Sequence, residues 1–167
     1  MNFLNTIEQT AFSAWVRESG SIWAFPTILV AHTIGMALVA GTSVYVALAL
    51  LGFWPKMPLK PLEKLYPLMW WGFAVNAITG TMLLMADIST KLTNWDFFLK
   101  MLFIFAGVWV LQRTRTTVFG DPNLDQAPVK TEAKRLAWAA IVCWFMAIVC
   151  GRLLAYVGPV PGLAKGN

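Results

Sequence analysis

The sequence predicts an all-α integral membrane protein: an antiparallel four-transmembrane-helix bundle with an N-terminal interfacial amphipathic helix. Three observations predict it. Of 167 residues, 58% are hydrophobic and only 13% are charged, whereas a soluble domain carries about 25% charged residues and needs them to cover its surface. The mean hydropathy is +0.63. Four apolar segments, residues 21–53, 66–86, 97–118 and 136–157, each exceed the ~20 residues a helix needs to cross hydrocarbon. Strands are excluded for such isolated segments, because their backbone would stay unpaired in lipid. The same composition excludes an ordinary soluble enzyme and a disordered chain. The length suits a single membrane domain, residues 1–167.

The elements follow in order. Phe3, Leu4, Ile7, Ala11 and Trp15 recur at helical spacing, with Asn5, Gln9, Ser13 and Arg17 on the other faces. This predicts a helix over 3–18 that lies in the outer interface. The first residues carry no positive charge and Glu8 interrupts the apolar run, so the start does not read as a secretory signal. The segment 21–53 is longer than one crossing needs and is expected to tilt or protrude, with Pro26 in its first turns. Pro55, Pro58 and Pro61 end it. A polar loop of cap-type residues, 87–94, precedes the third span. Gly120 and Pro122 stop that span, and a mixed-charge stretch leads to Arg135.

Lys and Arg counts set the orientation. The first and third connectors share one side and hold Lys56, Lys60, Lys64, Arg113, Arg115, Lys130, Lys134 and Arg135. The other side holds Arg17, Lys91, Lys100, Arg152 and Lys165. The bias predicts cytoplasmic connectors and both termini outside. The net charge of +5 therefore reads as a topology signal. No basic stripe interleaved with aromatics exists, so nucleic acid is not expected as a partner.

The one histidine, His32, falls within the first span, nearer its outer half. An ionisable group at that depth is a functional candidate. One reading makes it a haem and metal ligand, with Gly35 one turn on leaving room for a flat macrocycle. The other makes it a hydrogen bond between helices, with Ala31/Gly35 and Ala37/Gly41 as small-residue contacts. Arg152, near the outer end of the fourth span, is expected in the same leaflet. It is read as a propionate partner, or as snorkelling or pairing with Asp87 or Asp96. A sixth haem ligand would be a methionine, with Met82 or Met85 at suitable depth, a group from another chain, or none. Gly72, Asn76 and Gly80 share one face and predict a close helix contact with one interhelical hydrogen bond. Cys143 and Cys150 stand about 10.5 Å apart along one helix, beyond disulfide reach. No nucleophile–base pair, phosphate loop or catalytic carboxylate pair appears, so catalytic activity of its own is not expected.

Several stretches carry a resemblance. They are Ala31-His32-Thr33-Ile34-Gly35-Met36-Ala37-Leu38-Val39-Ala40-Gly41, Trp71-Gly72-Phe73-Ala74 with Thr79-Gly80, Asp96-Phe97-Phe98-Leu99-Lys100, and Gly151-Arg152-Leu153-Leu154-Ala155-Tyr156. On these the chain resembles small uncharacterised bacterial four-helix integral membrane proteins. More distantly, its His-x-x-Gly first helix is similar to haem-b and copper-resistance D-like membrane proteins. Members of the nearer family often carry a second histidine near the end of the third helix, where this chain reads Leu111-Gln112-Arg113-Thr114-Arg115. The expected function is a membrane subunit that holds haem b through His32 and transfers electrons beside a redox partner. The alternative is a cofactor-free accessory subunit of a larger membrane complex. A copper or small-molecule transporter would need more polar groups along one path.

Overall fold

A computed structural model describes residues 6, 8–92 and 94–157. Among them the chain is all-helical. It has six helices, four of them long and apolar enough to cross a membrane. They are α1 (Ala11–Glu18), α2 (Phe25–Leu51), α3 (Lys60–Ala86), α4 (Ile88–Leu92), α5 (Trp95–Phe119) and α6 (Thr131–Val157).

The helix expected over 3–18 is interrupted: Thr6 and Glu8 are helical, but the chain turns at Gln9 and Thr10 before α1 begins. Thr10 is extended (φ −61°, ψ 148°), and its side chain accepts a hydrogen bond from Ser13 N at 3.3 Å. That is an N-cap, and it fixes the start at Ala11. Residues 3–5 and 7 of the expected helix lie outside the described residues. The faces also sort unexpectedly. Trp15 is 43% exposed, whereas Ser13 and Val16 are buried against α3. The cause is at the end of α3, whose last carbonyls have no intrahelical donor. Ser13 Oγ donates to Met85 O at 3.0 Å and Arg17 Nη1 donates to Ala86 O at 3.3 Å.

Helix α2 opens with Pro26 in its first turn, where a missing N–H costs nothing. It is interrupted by a π-helical turn at Ala37–Gly41. Its first half packs on α3 and its second half on α6. It ends at Gly52, which has a φ of +92°. The Gly52 N–H bonds Ala49 O, and the Phe53 N–H bonds Leu48 O. This wrapped-back end needs a left-handed residue, which glycine supplies without a Cβ clash.

Helix α3 begins six residues before the predicted 66, in a 3-10 turn at Lys60–Leu65. The Asp125 carboxylate anchors that turn, accepting from Leu59 N at 2.6 Å and Lys60 N at 3.3 Å. Helix α6 likewise begins before the predicted 136, at Thr131. Its first turns hold Glu132, Lys134 and Arg135, which the apolar criterion excluded.

The core concentrates at the end of the bundle that holds the α2–α3 and α5–α6 connectors. Trp144 of α6 is fully buried, and its indole Nε1 donates to Ser43 Oγ at 2.9 Å. Gly107 of α5 gives the ring space: a Cβ there would stand 3.2 Å from Trp144 Cε2. Tyr66 meets Phe119 edge-on with centroids 5.5 Å apart. On the outward faces of α3, α5 and α6, Trp71, Trp95, Phe105, Trp109 and Phe145 are exposed.

Candidate functional site

The site grows from the crossing of α2 and α3. Gly35 and Gly72 let the two backbones touch. A Cβ on Gly35 would lie 2.8 Å from both Asn76 N and Gly72 O, and a Cβ on Gly72 would lie 3.0 Å from Gly35 O. Asn76 then reaches across, its Nδ2 donating to His32 O at 2.9 Å. The stripe predicted from Gly72, Asn76 and Gly80 is thus a helix contact. It carries hydrogen bonds in both directions, because His32 Nδ1 lies 3.1 Å from Asn76 O and 3.1 Å from Thr79 Oγ1.

The network assigns the imidazole tautomer. The Thr79 hydroxyl donates to Val75 O at 2.6 Å, so its oxygen is an acceptor toward the ring. Asn76 O is also an acceptor. Nδ1 therefore carries the proton, and Nε2 keeps its lone pair. Asn76 Nδ2 stands 3.5 Å from Nε2, at the edge of hydrogen-bonding distance. Gly80 lies under the ring: a Cβ there would stand 3.1 Å from His32 Cε1.

His32 lines a cavity of about 630 Å³ to which all six helices contribute. Phe25, Leu29, Leu83, Leu84, Phe97 and Leu154 supply apolar wall, and Arg17, Asp87, Lys91 and Lys100 supply charge. Its volume falls in the range of about 300–1,000 Å³ usual for small-molecule and cofactor sites. Arg17 pairs with Glu18 at 2.8 Å and Glu8 at 3.5 Å, and Lys91 pairs with Asp87 at 3.6 Å. Among the described residues, Lys100 Nζ makes no hydrogen bond or ion pair.

Of the expected cofactor contacts His32, Gly35, Arg152 and Met82, only His32 lines this cavity, joined by Gly80 and Asp87, which the sequence named for helix contact and ion pairing. Gly35 sits at the helix crossing against backbone, so its missing side chain serves packing there. Arg152 is exposed; its neighbours Gly151 and Leu154 reach the cavity instead. Asp87 is paired with Lys91 and not with Arg152. Met82 is partly buried and does not line the cavity. Lys100, Thr79 and Gly80 were not singled out as chemistry. The available signal for Lys100 was a lone cation within the first two turns of an apolar span, on the side that carries the His32 half. No cluster of three or more His, Cys, Asp or Glu side chains able to hold a metal ion occurs among the described residues. No family model, curated protein or solved structure matches the chain.

Proposed function

We propose that the chain is a haem b-binding subunit of the bacterial inner membrane that works in electron transfer beside a redox partner. In this reading the four long helices cross the bilayer antiparallel, with both termini periplasmic and α1 on the outer interface. The exposed tryptophans and phenylalanines then face lipid, and the cavity opens on the periplasmic half. The observation that carries the reading is His32: the residue lines a cofactor-sized cavity with Nε2 3.5 Å from Asn76 Nδ2, while Nδ1 is held by Asn76 O and Thr79 Oγ1. Metal-ligating histidines are commonly held in this way, because the second hydrogen bond sets the tautomer and the ring direction.

The residues present fit the group. Gly80 adds no side chain beside the ring, much of the wall is apolar, and Arg17, Lys91 and Lys100 line the same cavity as cations that acidic substituents could meet. His32 would be the single protein ligand, since Met82 lies off the cavity. Bound haem supplies one-electron chemistry. The chain's own part is to orient the imidazole, to exclude water with the walls from α2, α3 and α6, and to place positive charge beside the site.

A cofactor-free accessory subunit is the second reading, and one observation favours it. His32 already joins α2 to α3 through hydrogen bonds that a packing role alone would require. The absorption spectrum separates the two. A haem subunit purified in mild detergent shows a Soret band that His32→Ala abolishes while the helical circular dichroism persists. A colourless protein that co-purifies with other membrane chains refutes the haem reading.

A further inference from the structure

We infer that the ligand of the cavity carries a carboxylate and that Lys100 binds it. The inference rests on the proposed occupancy of the cavity, not on the iron. Lys100 lies in the second turn of α5, and its stem runs past Gly151 of α6. A Cβ on Gly151 would stand 3.5 Å from Lys100 Cε and 3.6 Å from Nζ. The side chain is thereby laid along the cavity wall that His32 and Lys91 also line.

The other charged groups on the wall are ion-paired, although the buried Asp87 Oδ2 accepts no hydrogen bond among the described residues. Glu18 and Glu8 neutralise Arg17, and Lys91 and Asp87 neutralise each other. Lys100 is the cation of this wall left without an ion pair among the described residues. An ammonium inside an apolar bundle is costly unless a counter-charge reaches it. No carboxylate of the described protein lies within ion-pair distance, so the ligand is the source of the anion. Phe25, Leu29 and Leu83 line the same volume and call for an apolar body. The ligand class is an amphipathic acid whose apolar part fills the cavity and whose carboxylate meets Lys100. A tetrapyrrole propionate and a long-chain fatty acid share this chemistry.

The test compares acids with their esters on the full chain in neutral detergent, read by quenching of tryptophan fluorescence. Metal-free protoporphyrin IX is titrated against its dimethyl ester, and palmitate against methyl palmitate. The expected result is at least about tenfold tighter binding of protoporphyrin than of its ester, worth ~1.4 kcal/mol. Lys100→Gln removes the preference, and Lys100→Arg and Arg152→Leu retain it. The acid–ester comparison on the unaltered chain needs no variant to fold. Equal binding of acid and ester in both pairs overturns the inference, as does a preference that survives Lys100→Gln. If only palmitate binds, with Lys100 dependence, the carboxylate assignment stands and the haem reading falls. Because these probes contain no iron, loss of the Soret band in His32→Ala remains a separate test of haem ligation.

Discussion

Replacing Gly35 with alanine adds one methyl group at the point where α2 and α3 are closest. That methyl would stand 2.8 Å from Asn76 N, 2.8 Å from Gly72 O and 3.1 Å from Asn76 Cα. All three are backbone atoms, so no side-chain rotation relieves the clash. Unstrained contacts lie at about 3.5–4.0 Å, so the helices must separate by ~0.7–1 Å. Such a gap forfeits about a quarter to a half of the dispersion attraction at each neighbouring contact. It also stretches the 3.1 Å His32–Asn76 and 2.9 Å Asn76–His32 hydrogen bonds beyond useful range. Overpacking costs about 1–3 kcal/mol, and interhelical hydrogen bonds in membranes average about 0.6 kcal/mol each. The sum predicts a loss of roughly 2–4 kcal/mol. Gly41 is the control. A Cβ there meets no atom within 4 Å, so Gly41→Ala is expected to be neutral or to stabilise by up to about 1 kcal/mol. Both variants can be measured by reversible unfolding in mixed dodecyl maltoside and dodecyl sulfate micelles, followed by circular dichroism. A Gly35→Ala protein within about 0.5 kcal/mol of the parent would refute the close-crossing argument, since that is the scatter of an inconsequential surface change.

Three further outcomes are expected. Ser43→Ala leaves the fully buried Trp144 N–H without its acceptor; the same titration should register a loss of about 1–3 kcal/mol, and no loss would mean that water replaces the hydroxyl. On the exposed α5–α6 connector, the hydrogen bond from Lys130 at 2.6 Å holds the Asp121 carboxyl below its ordinary 3.8 and pushes Lys130 above its ordinary 10.5. The pair's small contribution is therefore lost as pH falls through the depressed Asp121 value and as pH rises through the raised Lys130 value. An NMR titration should place Asp121 below 3.8 and Lys130→Ala should return it upward; an unmoved midpoint would remove Lys130 as the cause. A reporter fused after Asn167 should signal the periplasm, and a cytoplasmic signal would overturn the proposed topology.

The long helices were legible because hydrophobic length is a one-dimensional property. Their ends were less so. Helices α3 and α6 extend through Lys60, Glu63, Glu132 and Arg135, where an apolar criterion stops and Asp125 or ordinary helix propensity continues. The Gly72–Asn76–Gly80 stripe was readable from spacing, since i, i+4 and i+8 share a face whatever lies opposite. Gly35 was ambiguous for the same reason: a bare helix face looks alike whether a macrocycle or another backbone covers it. The inward polar side of α1 could not be read, because Ser13 and Arg17 answer carbonyls seventy residues away in sequence. Lys100 was hidden by its type. A lysine near a span's end reads as a topology charge until the paths of α5 and α6 show it beside Gly151.

The π-helical turn at Ala37–Gly41 fixes more than a local irregularity. Each residue of an α-helix advances the azimuth by ~100°. The widened loop therefore sets the angular phase between two interfaces on one rod, the His32 side against α3 and the Ser43 side against α6. Excising a single residue from the turn would let it relax to α-helix with the flanking phases kept, whereas excising one from the regular α-helix on either side would swing Ser43 and Ala47 by ~100° out of phase with Trp144. The length and hydropathy of the helix would survive that second deletion, and the fastening between the two halves of the molecule would not.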